Sequence, residues 1–298
     1  MDNALRTFRW FANLLSMRGR VPIFQALFRR AFRKVHRTIS VRDFDGDLTI
    51  SLRLSEHMQR RMFWMGYYNR DIVALLDRML TPGMVLIDVG ANIGEISLVA
   101  AKRVGPEGRV IAFEPVDRIA DVLESNMARN GLRQALAVRY GLSDHNTSAP
   151  IYASCGQGEQ NDENDGLGSL YGAAAETAPL QYVTLRTLDD YLEENPLDRV
   201  DFIKIDIEGA ELPCLRGSAR TIERFRPMLI IEVQRASATM AGYSVEDTLG
   251  FLAERHYRFA SIGRSGRLRD ITLETLGDYQ NVLCMPIGGA VRPPVRGS

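Results

Sequence analysis

The chain has 298 residues, 45% of them hydrophobic and 25% charged, with Lys+Arg and Asp+Glu balanced at 37 each. That supplies enough apolar side chain for a full core, which excludes disorder along the whole length, and no run of 18 or more apolar residues predicts a transmembrane helix. Cys155, Cys214 and Cys284 are few, odd in number and far apart, so they form neither a disulfide framework nor a metal spacing and point to a reducing cytosol.

The charge is unevenly placed. Residues 1–42 hold ten of the basic groups and a single acid, Asp2, so a basic arm precedes an acidic body. Leu5, Phe8, Phe11 and Leu15, then Ile23 and Leu27, fall at helical spacing, with arginines opposite and Gly19 and Pro22 between the segments. Arg6, Arg9, Arg18 and Arg20 break every apolar stretch, so a secretory signal is not expected. Residues 1–60 are predicted to be a basic amphipathic helical extension. It docks on the body or lies at an anionic membrane surface, which makes the expected location cytoplasmic or peripheral at the inner membrane face. No nucleic-acid motif follows the arm, and no nucleic-acid partner is expected.

From about residue 84 short apolar runs alternate with helical segments. Strands are predicted at Met84–Val89, Arg109–Phe113, Ala135–Tyr140, Val200–Asp206 and Met228–Val233, with two more at Tyr257–Ile262 and Asn281–Met285. Helices are predicted at Glu95–Val104, Val116–Arg129, Glu211–Glu223 and Val245–Glu254. This alternation predicts an α/β domain over 61–298, a mostly parallel sheet with helices on both faces. Residues 154–180, rich in Gly, Asn, Asp, Glu and Ala, interrupt the rhythm and read as a lid-like loop.

The strongest local signal is the segment from Leu86 to Glu95, in which an apolar strand enters a glycine turn and then a helix. Gly90 allows a sharp turn, Asn92 tolerates a left-handed backbone, and Gly94 opens the helix. The pattern is D-x-G-x-N-x-G, not the dinucleotide G-x-G-x-x-G. Asp88, two residues before the first glycine, is unsuited to a pyrophosphate but suits the ammonium and sulfonium of S-adenosyl-L-methionine. Glu114 ends the second strand, 20 residues past Gly94, where a carboxylate accepts from both ribose hydroxyls. Ser143 and Asp144 close the third strand beside the expected adenine edge.

Asp88-Val-Gly-Ala-Asn-Ile-Gly94, Ala112-Phe-Glu-Pro115, Thr187-Leu-Asp189 and Ile203-Lys-Ile-Asp-Ile-Glu-Gly-Ala-Glu211 together resemble the FkbM family of S-adenosylmethionine-dependent methyltransferases. Gly66-Tyr-Tyr68 and Asn281–Pro286 extend the likeness to roughly residues 60–286. The resemblance implies a class I, Rossmann-like fold with a seven-stranded sheet whose last strand is antiparallel. It also implies O-methylation of a small-molecule or glycan hydroxyl, on a sugar, glycolipid or natural product. The basic arm lies outside it.

In the 201–211 segment Phe202, Lys204 and Asp206 share one strand face. A central parallel strand is normally apolar on both faces, so the two charges need a reason. Glu208 follows at the carboxyl end, where ligands bind in open α/β sheets, and Glu232 ends the next strand. The candidate general bases are Glu208, then Asp206, then Glu232, with Lys204 pairing the acids and holding their charge. These carboxylates also offer oxygen ligands to a divalent cation, but no Asp-Asn ligand pair follows and no metal is expected. Phe63–Tyr68 is dense in aromatics, suited to an acceptor wall or to core packing. Two other readings are an NAD-dependent oxidoreductase or epimerase, which the glycine pattern opposes, and a non-catalytic binding module, which the intact acid set opposes.

Overall fold

The computed structural model describes residues 7, 9, 37–153, 168–171 and 178–288. The chain forms two compact units. The described part of the first is residues 7, 9 and 37–70. The described part of the second is 71–153, 168–171 and 178–288. Apart from Thr7 and Arg9, the amphipathic helices expected over 5–27, and most of the 154–180 loop, lie outside the described residues.

The first unit holds a hairpin of β1 (Thr38–Phe44) and β2 (Leu48–Arg53), followed by helix α1 (His57–Met65). A helical extension was expected through residue 60, and the hairpin departs from it. Ile39, Val41, Leu48, Ile50 and Leu52 alternate with more exposed residues, a period of two that suits a sheet face and not a helix. Phe63 and Trp64 are fully buried and packed edge to face, 4.9 Å between centroids. They are core residues of this unit and not a wall open to substrate. Tyr67 donates to Asp45 Oδ1 at 2.6 Å. Arg9 donates to the Phe63 carbonyl at 2.7 Å and pairs with Asp43, so at least this basic residue of the arm meets the unit's own body.

The second unit begins with α2 (Arg70–Met79), whose Ile72, Val73, Leu75 and Leu76 are buried. Strands β3 (Val85–Val89), β4 (Arg109–Phe113) and β5 (Ala135–Val138) alternate with α3 (Glu95–Val104) and α4 (Asp117–Arg129). A second, smaller sheet follows, made of β6 (Gly141–Leu142), β7 (Thr147–Ala153), β8 (Gly168–Ser169) and β9 (Gln181–Arg186) in the order β6-β9-β7-β8. The chain then returns through α5 (Leu188–Glu194), β10 (Phe202–Ile205), α6 (Glu211–Arg216), α7 (Ala219–Phe225) and β11 (Met228–Gln234). It closes with α8 (Arg235–Met240), α9 (Val245–Ala253), β12 (Tyr257–Gly263), β13 (Arg267–Ile271) and β14 (Tyr279–Pro286).

The main sheet runs β13-β12-β14-β11-β10-β3-β4-β5. Its five central and flanking strands from β11 to β5 are parallel, and β14 is antiparallel to β11. The seven strands expected are present, and β13 adds an eighth at the edge, antiparallel to β12. Ile87, Ile111, Ile203, Ile205 and Ile231 pack on one face with Leu188, Leu215, Ile222 and Leu249 of the helices. The alternate residues Leu86, Val110, Phe202 and Ile230 are equally buried on the other face, and α3 packs against β3 and β4. Each such fully buried side chain contributes about 1.5–3 kcal/mol. Burial on both faces explains why these strands read as continuous apolar runs.

The expected helix over 211–223 breaks into α6 and α7 at Gly217. A Cβ there would lie 1.9 Å from the Ser143 carbonyl oxygen, so only glycine permits the approach. The small sheet, absent from the sequence reading, explains what surrounds the 154–180 segment: β7 and β9 pair antiparallel on its two sides. Among the described residues no helix is long and apolar enough to cross a membrane.

Candidate functional site

The carboxyl end of β3 turns on two glycines. Gly90 has φ +75°, and a Cβ on it would lie 2.1 Å from the Asp206 carbonyl oxygen. Positive φ and close backbone approach both demand glycine. Asn92 follows at φ +51°, the left-handed conformation that asparagine tolerates. Gly94, at φ +99°, opens α3. Gly90→Ala is therefore expected to cost at least about 2 kcal/mol of folding stability, measured by denaturant unfolding. A loss of a few tenths would mean the loop accommodates a side chain.

Glu114 leaves β4 buried, at 6% exposure, and each of its oxygens accepts a backbone N–H. Asn92 donates to Oε2 at 2.9 Å and Val116 to Oε1 at 3.0 Å. Burial pushes this carboxyl up to about 7, against the pull of those N–H groups and of Lys204. An ionised carboxylate oxygen has a second lone pair, so Glu114 can still take two hydroxyl donors. It is the clamp between the glycine turn and the strand that follows it in the sheet.

Asp88 is not an open ligand contact. It is 0% exposed, takes the Ser97 hydroxyl on Oδ2 at 2.6 Å, and faces the Lys204 ammonium with Oδ1 at 3.4 Å. The parallel register sets Lys204 directly opposite Asp88. Lys204 also lies 3.4 Å from Asp206 Oδ2 and donates to the Gly90 carbonyl at 3.0 Å. Its burial favours the neutral amine, but Asp206 and Asp88 outweigh it and raise its pKa, so it stays charged. One cation thus neutralises two acids and ties β10 to the glycine turn.

Asp206, Glu208 and Glu211 follow β10 and gather with Glu232, which lies near the carboxyl end of β11. Burial, then the charges of Asp206 and Glu211, raise the Glu208 carboxyl to about 7. Burial and Asp206 also raise Glu232, while the Tyr279 hydroxyl, donating to Glu232 Oε1 at 2.6 Å, acts the other way. The three candidate bases are not equivalent. Asp206 is paired with Lys204 and Glu232 is engaged by Tyr279. The Glu208 carboxylate has no hydrogen bond or ion pair among the described residues. Its backbone sits at φ +50°, a conformation that costs on the order of 1–3 kcal/mol in a non-glycine residue.

Ser143 and Asp144 lie just past β6, whose Gly141 packs against Pro115, the residue after Glu114. The Ser143 hydroxyl donates to Asp144 Oδ1 at 3.3 Å, and His145 Nδ1 stands 2.6 Å from the same oxygen. His145 thus stands beside an expected site residue. The motif residues Thr187 and Asp189 are capping groups. Thr187 accepts from the Asp190 N–H at 3.0 Å to start α5, and Asp189 takes the Thr221 N–H at 2.8 Å and the Arg220 N–H at 2.9 Å at the start of α7.

Three residues escaped the sequence reading. Glu211 accepts the Ile207 and Gly209 N–H groups at 3.2 and 3.1 Å, and Tyr243 donates to the Gly209 carbonyl at 2.6 Å. Tyr279 reaches Glu232 across the β11–β14 pair. Glu211 had a signal, the acid three residues after Glu208 at the head of a predicted helix. Tyr243 and Tyr279 had none, since each comes from a strand or loop remote in sequence.

Comparison with known proteins matches residues 88–259 to the model of the methyltransferase FkbM domain. Among curated proteins the chain is 29% identical to the AMB antimetabolite synthetase AmbE of Pseudomonas aeruginosa, over 70% of this chain and 11% of that protein. It is 34% identical to the methyltransferase sdnD of Sordaria araneosa, over 44% of this chain and 59% of that one. It is 29% identical to the 2-O-methyltransferase NoeI of Sinorhizobium fredii, over 53% of this chain and 65% of that one. The chain thus spans less than two thirds of each of these relatives. The matched segment begins at Asp88, takes in the glycine turn, Glu114 and the 204–211 cluster, and covers more than half of the sequence: the chain belongs to the FkbM methyltransferase family.

Proposed function

We propose that the protein is an S-adenosyl-L-methionine-dependent O-methyltransferase acting on a hydroxyl of a sugar, glycolipid or natural product. The observation that carries this reading is Glu114 holding the Asn92 N–H of the glycine turn. In a pyrophosphate site that N–H would serve the phosphate. Here a carboxylate takes it, and Asp88 lies buried just behind. The donor set fits a cationic nucleoside with free hydroxyls and argues against NAD. NoeI, a 2-O-methyltransferase by name, supports oxygen as the methylated atom. A site edged by Asp206, Glu208 and Glu232 repels phosphates, which favours a small-molecule or glycan acceptor over nucleic acid.

In this reading S-adenosyl-L-methionine supplies an activated methyl group. Glu114 holds the ribose hydroxyls, the backbone of Gly90–Gly94 holds the nucleoside close, and Ser143 and Asp144 bound the adenine edge. The Lys204–Asp88–Asp206 group keeps the turn in place. Methyl transfer to oxygen is an in-line displacement, so orientation lowers much of the barrier. The acceptor hydroxyl must also lose a proton, and a carboxylate with a pKa near neutrality is suited to receive it. Glu208 does so here, because among the described residues its carboxylate is the one of the three candidates without a hydrogen-bond or ion-pair partner.

Isothermal titration with S-adenosylhomocysteine tests the cofactor half. The native protein is expected to bind it and to ignore NAD. Glu114→Ala should weaken binding at least about tenfold, the loss of one charge-assisted hydrogen bond worth about 1.5–3 kcal/mol. Binding unchanged by the substitution, or preference for NAD, removes the reading. Mass spectrometry of cell extracts incubated with enzyme and labelled methyl donor identifies the acceptor.

A further inference from the structure

The turn Ile207-Glu208-Gly209 is held from four directions. Glu208 and Gly209 have φ +50° and +102°. The Ser169 hydroxyl, on β8 of the small sheet, donates to the Glu208 carbonyl at 2.9 Å. The Tyr243 hydroxyl, between α8 and α9, donates to the Gly209 carbonyl at 2.6 Å and accepts the Leu212 N–H at 3.4 Å. Glu211 takes the N–H groups of Ile207 and Gly209 from below. A Cβ on Gly209 would lie 2.9 Å from the Ser237 carbonyl of α8, so the turn has no room to relax that way. Unfavourable backbone conformations persist only where surrounding structure over-determines them, and they cluster at functional sites.

We propose that Tyr243 and Ser169 are positioning residues for Glu208: they grip the two successive carbonyls of its strained turn and so hold its carboxyl at the site of methyl transfer. The proposal rests on the reading of Glu208 as the base. Neither side chain needs to meet substrate or cofactor. Each hydroxyl holds a main-chain carbonyl in place, so losing either lets residue 208 swing toward ordinary backbone angles and its carboxyl toward solvent. Among the described residues the charged groups facing Glu208 are Asp206 at the exit of β10, Glu211 on α6 and Glu232 on β11. All are acids, so a carboxyl released into water leaves both burial and repulsion behind.

The test uses the full chain and its Tyr243→Phe, Ser169→Ala and Glu208→Gln variants. Glutamate carboxyl carbons are titrated by nuclear magnetic resonance, and Glu208→Gln assigns the Glu208 signal, near 7 in the native protein. In both hydroxyl variants that titration is expected to move down by at least about half a unit. The rate of labelled methyl transfer from S-adenosylmethionine into a cell extract should fall at least about tenfold. Affinity for S-adenosylhomocysteine should stay within about twofold, since neither residue touches the 88–94 turn. A merely structural role would lower the melting temperature and leave titration and rate unmoved. Native titration and native rate in Ser169→Ala and in folded Tyr243→Phe, checked by circular dichroism, overturn the proposal; Ser169→Ala alone decides if Tyr243→Phe does not fold. A fully active Glu208→Gln instead removes the base assignment. An inactive Glu208→Gln beside two native-like hydroxyl variants removes only the positioning role.

Discussion

Glu208→Gln is expected to lower the rate of methyl transfer by about 10² to 10⁴, the usual range for removing a general base. The amide keeps the size of the side chain but cannot accept the acceptor's proton. Because burial and neighbouring acids lift the carboxyl to about 7, the native rate should climb as the pH passes through that value and the group ionises. The Gln variant should lose that limb. Affinity for S-adenosylhomocysteine should hardly change, because the residues proposed to hold it, Gly90–Gly94 after β3 and Glu114 after β4, keep their own contacts. The same change at Asp206 is a weaker test, since it also strips Lys204 of a partner. A pH–rate profile that keeps its limb in Glu208→Gln would transfer the role to Glu232 or Asp206.

Lys204→Met is expected to cost about 3–5 kcal/mol of stability, the range for breaking a buried ion pair from one side. Removing the ammonium leaves Asp88, without any solvent exposure, facing an apolar side chain. Its Ser97 hydrogen bond cannot balance a full charge in that setting. The Gly90 carbonyl loses its donor as well. Adding Asp88→Asn should recover much of the loss, because the uncompensated charge is then gone. Denaturant unfolding of the two single variants and the double variant measures this coupling. A single-variant loss under about 1 kcal/mol would mean that water or another donor reaches the Asp88 carboxylate.

Much of the scaffold was legible because it is written in local periodicity. The apolar runs of β3, β4, β10 and β11, the glycine turn after Asp88 and the acid after β4 are each contained within a dozen residues. The hairpin of β1 and β2 carries its own period-two signal in the alternation from Ile39 to Leu52, but the basic, helically spaced residues upstream extend a helix-like pattern toward it. The small sheet was harder. Gly141–Leu142 and Gly168–Ser169 are two-residue strands, too short for any period to register, and they gain order only from β7 and β9. The aromatic cluster at Phe63 and Trp64 was ambiguous because composition does not say which way a ring faces; packing placed both in the core.

The sequence by itself determined the pattern: a glycine turn between Asp88 and Glu114, with a second acidic cluster after a lysine in a central strand. These follow from residue type and short-range spacing, which the backbone must obey wherever the segment goes. Which partner each acid meets was decided only by the tertiary structure. Lys204 meets Asp88 across 116 positions because β10 and β3 are neighbours in register, and Tyr279 occupies Glu232 because β14 returns antiparallel to β11. Hydrogen-bond partners and burial are properties of strand order and register, and no pattern along one segment carries them.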